Sequence, residues 1–160
     1  MAKAIPEGYH SVTPYLAVKS AAEAIDWYKQ ALGAVEAFRF EDGGKVVHAE
    51  IKIGDSIVML SDEWPEGGHV SPKIEEGTPV SLMFYVPDVD SAFAKAVDAG
   101  AKELRAVKDQ FYGDRTGTLQ DPFGHRWHIA THVEDVDQSE LKTRMEEFSK
   151  SEKQAERQPA

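Results

Sequence analysis

Residues 14–18 read PYLAV and residues 82–86 read LMFYV, and each stretch ends at a valine that precedes a helical pattern. After the first stretch, apolar residues recur at helical spacing before Gly33, and after the second stretch a similar pattern ends before Gly100. A glycine directly after a helix is typical of a C-terminal cap, because glycine adopts the left-handed backbone conformation readily. The two stretches therefore predict a repeated strand-helix unit, and a repeat of this size decides the architecture.

The residues that follow each helix extend the repeat. Turn signals at 42–44 and 54–55 separate three strand-like segments in the first half, and a turn at 121–124 precedes the last strand-like segment of the second half. We therefore predict an α+β fold of two β-α-β-β-β units, at residues 9–61 and 80–133, whose sheets form a half-open, cup-shaped mixed sheet. Because each unit is too small to bury its own sheet face, the two units must complete each other.

Outside the units, the sequence predicts short accessory segments around a single domain at residues 9–133. Residues 1–8 are a polar lead-in, and residues 62–79, which are rich in glycine, proline and glutamate, form the linker between the units. Apolar residues at helical spacing predict an amphipathic helix at 134–149, and the polar composition of 150–160 predicts a disordered tail.

The composition excludes several classes of partner and chemistry. The formal net charge is −10 and the chain has no cysteine. A dispersed acidic charge disfavours nucleic acid and anionic membranes, since both attract basic patches. Without thiols, disulfides and cysteine nucleophiles are excluded. No apolar run is long enough to cross a bilayer and no signal-peptide pattern opens the sequence, so we expect a cytoplasmic protein.

The alternation of residues along each strand predicts which side chains line the cup. Successive strand residues point to opposite faces, so the apolar set of each strand packs beneath the helices and the other set faces the cup. In the last strand, Trp127 and Ile129 pack, which leaves Arg126 and His128 on the cup side. The lining is apolar with a few polar groups, as in sites for small organic molecules. The predicted ligand-binding residues are Thr13, Tyr15, Met59, Ser81, Met83, Tyr85, Arg126 and His128, and His48 and Glu50 face the cup beside them.

Several segments resemble those of a known family. They are residues 13–16 (TPYL), residues 48–50 (HAE) with 54–56 (GDS), and residues 112–127, which run from YGDR to DPFGHRW. With the paired units, they resemble the PhnB-like branch of the vicinal oxygen chelate superfamily, which includes glyoxalase I, bleomycin-resistance proteins and extradiol dioxygenases. The resemblance implies the fold described above and a homodimer.

The resemblance also bears on metal binding. In the metal-dependent members, four ligands come from the first and last strands of each unit, and the resemblance places these positions at Thr13, Met59, Ser81 and His128. Hydroxyl and thioether groups are poor ligands for the divalent ions of those enzymes, so only His128 is a good ligand. We therefore expect no metal at the family positions and no other cofactor. The alternative is a divalent metal in an improvised site of His128, His48 and Glu50.

Two functions remain open on these residues. The first is a protein that binds a small organic molecule in the cup, with aromatic residues for stacking and with Arg126 and His128 as polar anchors. The second is an enzyme of the resembled superfamily, a lyase, isomerase or dioxygenase, that uses a metal or uses His48 and Glu50 as acid and base.

Overall fold

The computed structural model describes residues 2–156 and contains two units with the same order of elements. The first unit comprises β1 (Tyr15–Val18), α1 (Ala21–Leu32), β2 (Val35–Asp42), β3 (Lys45–Ile53) and β4 (Ser56–Asp62). The second unit comprises β5 (Ser81–Tyr85), α2 (Val89–Asp98), β6 (Lys102–Asp109), β7 (Asp114–Gln120) and β8 (Arg126–His132). A 3₁₀ turn at Pro65–Gly67 lies in the linker, and α3 (Gln138–Glu156) follows the second unit. The predicted α+β class and the repeat are confirmed.

Each unit forms a four-stranded mixed sheet with the same topology. The strand orders are β1-β4-β3-β2 and β5-β8-β7-β6. In each sheet the first and last strands of the unit pair in parallel, and the remaining pairs are antiparallel. Equivalent positions of the two units therefore recur at equivalent places in the two sheets.

One hydrophobic core joins the two units. α1 covers one face of the first sheet, α2 covers one face of the second, and the two helices pack against each other. Ile25, Ile51 and Leu60 of the first unit and Leu119 and Ile129 of the second are completely buried. Each such side chain contributes roughly 1.5–3 kcal/mol by its removal from water. Because each sheet turns one face into this shared core, the other face of each sheet points away from it.

A buried carboxylate fixes α1 of the first unit against the second unit. Asp121 is 2% exposed and accepts hydrogen bonds from the Tyr28 hydroxyl at 2.6 Å and the Trp127 indole N–H at 2.9 Å. It also accepts from the backbone N–H groups of Phe123 and His125, each at 2.9 Å. Burial, together with the Asp121 charge, raises the pKa of the Tyr28 phenol well above its ordinary range. The turn that the sequence predicts at 121–124 is therefore also the joint between the units.

The first strand is shorter than the sequence predicts. The prediction starts the first unit, and with it the first strand, at residue 9, whereas β1 begins at Tyr15. Pro14 has no N–H to donate to the strand ladder, and only its carbonyl takes part by accepting from the Met59 N–H at 2.9 Å. Residues before Pro14 consequently lie outside the sheet.

The C-terminal helix is longer than the sequence predicts. It begins after Asp137, whose carboxylate accepts from the backbone N–H groups of Ser139 and Glu140 at 2.9 Å, as a helix N-cap does. It continues to Glu156, so the prediction of disorder is wrong for residues 150–156, where Lys, Glu, Gln and Ala favour a helix. The rest of the predicted tail, residues 157–160, lies outside the described residues. Across residues 2–156, no helix combines the length and apolar character needed to cross a membrane.

Candidate ligand-binding site

Except for Thr13, which precedes β1, the predicted site residues lie on the two sheet faces that point away from the core. We call these the first open face (β1–β4) and the second open face (β5–β8). Neighbours in register form a row across each face. On the first open face the row is Tyr15, Met59, Glu50 and Phe38. On the second open face the row is Met83, His128, Thr118 and Arg105. The predicted cup residues therefore separate into two groups, one on each sheet.

A chain of hydrogen bonds crosses the first open face. The Tyr9 hydroxyl donates to Glu50 Oε2, Glu50 Oε1 lies 3.1 Å from His48 Nε2, and His48 Nδ1 lies 2.8 Å from the Tyr15 hydroxyl oxygen. Since an ionised carboxylate can only accept, the network assigns the His48 proton to Nε2 and leaves Nδ1 to accept from Tyr15. The sequence-predicted pair of His48 and Glu50 is thus brought together, with a tyrosine at each end.

The hydrogen bond between Tyr9 and Glu50 sets the protonation of both residues. The hydrogen bond from Tyr9 lowers the pKa of Glu50 below its ordinary value, and His48 adds to the lowering. The same bond raises the pKa of Tyr9 to about 12. At neutral pH, Glu50 is therefore a carboxylate and Tyr9 a neutral phenol.

Solvent-exposed aromatic rings lie around the hydrogen-bonded chain. Tyr15 is 45% exposed, Phe38 51% and Phe40 56%. The Phe38 ring centroid lies 6.2 Å from that of His48, and the His69 ring meets Tyr15 edge-on at 5.1 Å. A cavity of about 570 Å³ lies beside Tyr15 and His69. Clustered exposed rings of this kind are typical of surfaces that bind a ligand or another protein.

His128 lies at the centre of the second open face. Its Nδ1 is 2.9 Å from the Thr118 hydroxyl oxygen and its Nε2 is 3.1 Å from the Ser81 hydroxyl oxygen. Burial lowers the pKa of His128, and the positive charges of Arg126 and Arg105 lower it further. The imidazole is therefore neutral at pH 7, and both of its nitrogens have hydrogen-bonding neighbours.

Helix α3 covers part of the second open face, and a second, open cavity lies between the helix and this face. This helix-covered cavity has a volume of about 560 Å³. The sheet side and its adjoining loop contribute Met83, Arg105, Lys108, Tyr112, Thr116, Thr118 and His128, among others, and α3 contributes Phe148 and Glu152. The Phe148 ring lies 5.1 Å from the Phe111 ring, which holds the helix against the loop after β6.

A third cavity lies between the edges of the two sheets. Its volume is about 570 Å³, and it is lined by Thr13 and Ile57 of the first half and by Met83 and Tyr85 of β5. The Tyr85 hydroxyl donates to Asp114 at 2.8 Å. Of the predicted site residues, Thr13, Met83 and Tyr85 are thus brought together across the units.

The residues at the four positions that the resemblance assigns to metal ligands do not fit a divalent ion. Thr13 and Ser81 offer hydroxyls and Met59 offers a thioether, while both nitrogens of His128 already have hydrogen-bonding neighbours. Within residues 2–156, no three His, Cys, Asp or Glu side chains lie close enough to hold a metal ion. The improvised set is consequently not assembled within one chain, because His48 and Glu50 lie on the first open face and His128 on the second.

The sequence argument missed five residues of these faces. Phe38 and Phe40 pair with Glu50 and His48 in register, so the same strand alternation would have identified them. Arg105 and Lys108 are three residues apart, a spacing that points to opposite faces of a regular strand. A register shift between them lets both line one cavity, which a simple alternation cannot predict. Tyr9 lies before β1, outside the strands of the structure.

Comparisons with known proteins agree with this architecture. The sequence model of the Glyoxalase/Bleomycin resistance protein/Dioxygenase superfamily matches residues 8–129. An uncharacterised protein of Mycobacterium tuberculosis is 40% identical over 139 residues, which cover 84% of this chain and 82% of that protein. The X-ray structure of an Arabidopsis thaliana gene product is 28% identical and superposes with a TM-score of 0.62, covering 76% of this chain and 98% of that one. A PhnB protein from Bacillus cereus shares the fold at 18% identity, with a TM-score of 0.58 and coverage of 76% and 99%.

Proposed function

Because the chain belongs to the Glyoxalase/Bleomycin resistance protein/Dioxygenase superfamily, we propose that it is a PhnB-like member that binds a small organic molecule on its open sheet faces, without the metal site of the glyoxalases. The observation that carries the proposal is the exposure of large side chains at cup positions: Tyr15 is 45% exposed, Met83 46% and Tyr85 56%. A ligand would cover this surface, and the sparse polar groups Arg126 and His128 would fix its orientation. The assignment to the PhnB-like branch rests on the sequence segments described above.

A second copy of the chain would complete the cup. Both open faces point away from the shared core, so one chain presents two half-cups. A homodimer in which the first open face of one copy meets the second open face of the other would close two cups. The exposed rings of Phe38 and Phe40 support this arrangement, since water-exposed aromatic residues are enriched at protein interfaces. We place this dimer in the cytoplasm.

The methionines provide the test of ligand binding. Met59 and Met83 lie in the two rows of the open faces, whereas Met145 lies on α3 and is 60% exposed. We expect a fragment library to shift the ¹³C-methyl signals of Met59 or Met83 of the labelled protein and to leave Met145 unchanged. A library that moves neither of the two cup methionines, or that moves Met145 equally, would contradict the proposal.

The hydrogen-bonded chain on the first open face favours a second candidate function, acid–base catalysis. Glu50 would orient His48, His48 Nδ1 would take up a proton, and the Tyr15 hydroxyl would be the group that contacts the substrate. A lyase or isomerase that begins with proton transfer needs no more than these groups. A metal-dependent dioxygenase is not proposed, since the donor set does not fit its metal.

This second candidate has its own readout. In deuterated buffer, we expect the protein to accelerate exchange of the α-protons of small ketones, followed by proton NMR. His48→Gln and Tyr15→Phe should each abolish the acceleration, and His10→Gln, which removes an exposed histidine outside the chain of hydrogen bonds, should retain it. Exchange at the buffer rate, or full activity in His48→Gln, would overturn the candidate.

A further inference from the structure

The arginines of this protein are not equally paired. Of the five arginines within residues 2–156, Arg39, Arg115 and Arg144 each form salt bridges with two acidic residues. No salt bridge involves Arg105 or Arg126 in the described part of the chain, and the Arg126 Nε atom is buried without a hydrogen-bond partner. Both unpaired arginines lie close enough to His128 to lower its pKa. In a protein of net charge −10, this leaves a local excess of positive charge on the second open face.

Further hydrogen-bond donors line the helix-covered cavity on this face. Lys108 lines the helix-covered cavity beside Arg105 and also lacks a salt bridge in the described residues. Tyr112 lines it too, and burial raises the pKa of its phenol, with the Asp114 charge adding to the rise. Tyr112 therefore stays protonated and able to donate. An arginine fork, an ammonium group and a phenol together match the oxygens of an anion.

We propose that the helix-covered cavity binds the anionic group of an organic ligand, a carboxylate or a phosphate, through Arg105, Lys108 and Tyr112. The inference rests on the proposed function, because it assigns a chemical class to the ligand of the second open face. Met83 and Phe148 line the same cavity and provide an apolar wall for the remainder of the ligand. The class is therefore an aryl or alkyl carboxylate or phosphate.

Helix α3 modulates this site. The helix has no buried residue and is held by Arg144, which donates to Glu134 at 2.8 Å and to the Phe111 carbonyl at 3.3 Å. Its Glu152 lines the cavity together with Arg105 and Lys108. A carboxylate at this place repels a bound anion, so neutralising Glu152 strengthens binding.

The test uses the full chain and four small probes that share a phenyl ring. Phenyl phosphate and benzoate carry the anion, and phenol and benzamide are their uncharged counterparts. Binding is followed by calorimetry and by the ¹³C-methyl signal of Met83. We expect at least one charged probe to bind about tenfold more tightly than its uncharged counterpart, since hydrogen bonds to charged groups contribute about 1.5–3 kcal/mol.

Variants locate the binding. Arg105→Gln and Lys108→Gln should each weaken binding of the charged probe about tenfold, and Glu152→Gln should strengthen it severalfold. Lys95→Gln removes the same charge from the exposed surface of α2 and should leave binding unchanged. The preference between benzoate and phenyl phosphate identifies which anion the cavity takes.

Two results would overturn the inference, and they differ in what they say of the proposed function. If charged and uncharged probes bind equally and the variants at 105 and 108 have no effect, the anion site is wrong while binding of a small molecule stands. If no probe moves the Met83 signal, the anion site is wrong as well, and the fragment library then decides separately whether the open faces bind any organic molecule.

Discussion

The two open faces have the same backbone register and different chemistry. At matching places in the rows, the first face carries Met59 and Glu50 where the second carries His128 and Thr118. The first face combines aromatic rings with a carboxylate whose hydrogen bonds are satisfied. The second combines an imidazole with cations that form no salt bridge within residues 2–156. The duplicated backbone fixes where a ligand can lie, and the side chains decide what each half contributes.

The two units differ most at the turn before their last strand, where Asp121 joins the units. The largest effect of a substitution is expected there. Asp121 in the β7–β8 turn is buried, whereas Asp55 in the β3–β4 turn of the first unit is exposed. Asp121→Ala should lower the free energy of unfolding by at least about 3 kcal/mol, because each buried donor left without an acceptor costs about 1–3 kcal/mol. Urea denaturation measures the loss. Asp55→Ala should stay within about 0.5 kcal/mol of the parent protein. Equal effects of the two substitutions would contradict the claim that Asp121 joins the two units.

The next largest effect is expected on the first open face, where a substitution tests the proposed dimer interface. Phe40→Arg places a charge among the exposed rings and should weaken the homodimer at least about tenfold, which corresponds to about 1.4 kcal/mol. Light scattering over a range of protein concentrations measures the change in mass. Gln30→Arg adds the same charge on the exposed surface of α1 and should leave the mass unchanged. A dimer that tolerates Phe40→Arg would show that this face is not in the interface.

Two histidines of β8, His128 and His132, have pKa shifts of opposite direction. Burial lowers the pKa of His128 from its ordinary value of 6.5, with Arg126 and Arg105 adding to the effect. The hydrogen bond to Asp114 raises the pKa of His132 from the same value, and Asp135 adds to the rise. NMR titration of the imidazole signals should therefore place the His128 midpoint below 6.5 and the His132 midpoint above it. One common midpoint would contradict the difference between the two environments.

The two histidines affect stability with opposite signs. A lowered pKa means that the unfolded chain binds the proton more tightly, so the stability associated with neutral His128 is lost as pH falls from 6.5 through the folded-state pKa. A raised pKa means that the contribution of His132 is complete below 6.5 and is lost as pH rises through its folded-state pKa. Arg105→Gln should raise the His128 midpoint and leave that of His132 in place.

The smallest effect is expected at α3. Arg144 pairs with Glu134 and Glu140 on the exposed surface, and such ion pairs contribute at most about 1 kcal/mol. Arg144→Ala should therefore change the midpoint of urea denaturation little. It should nevertheless increase amide hydrogen exchange in α3, because the contact with the Phe111 carbonyl is lost. Unchanged exchange would show that Phe148 alone holds the helix.

Local periodicity was sufficient to predict which residues of a strand pack in the core. The alternation in β8 assigned Trp127 and Ile129 to the core, and both are buried. Periodicity says nothing about how the two units pack, so it could not show that the open faces both point away from the core. The bond between Tyr28 and Asp121 joins residues 93 positions apart, and its buried setting depends on that packing. The sequence prediction did not include Arg105 and Lys108, because a register shift in β6 breaks the alternation.

The most direct measurement is an isotope-filtered nuclear Overhauser experiment on mixed dimers. One copy carries ¹³C-methyl methionine and the other is unlabelled. If two copies complete the cup, the Met83 methyl of the labelled copy should show contacts with aromatic protons of the unlabelled copy, from Tyr15 or Phe38. A monomer in light scattering, or a dimer in which Met83 shows contacts only within its own chain, would contradict a cup formed from the first open face of one copy and the second open face of another.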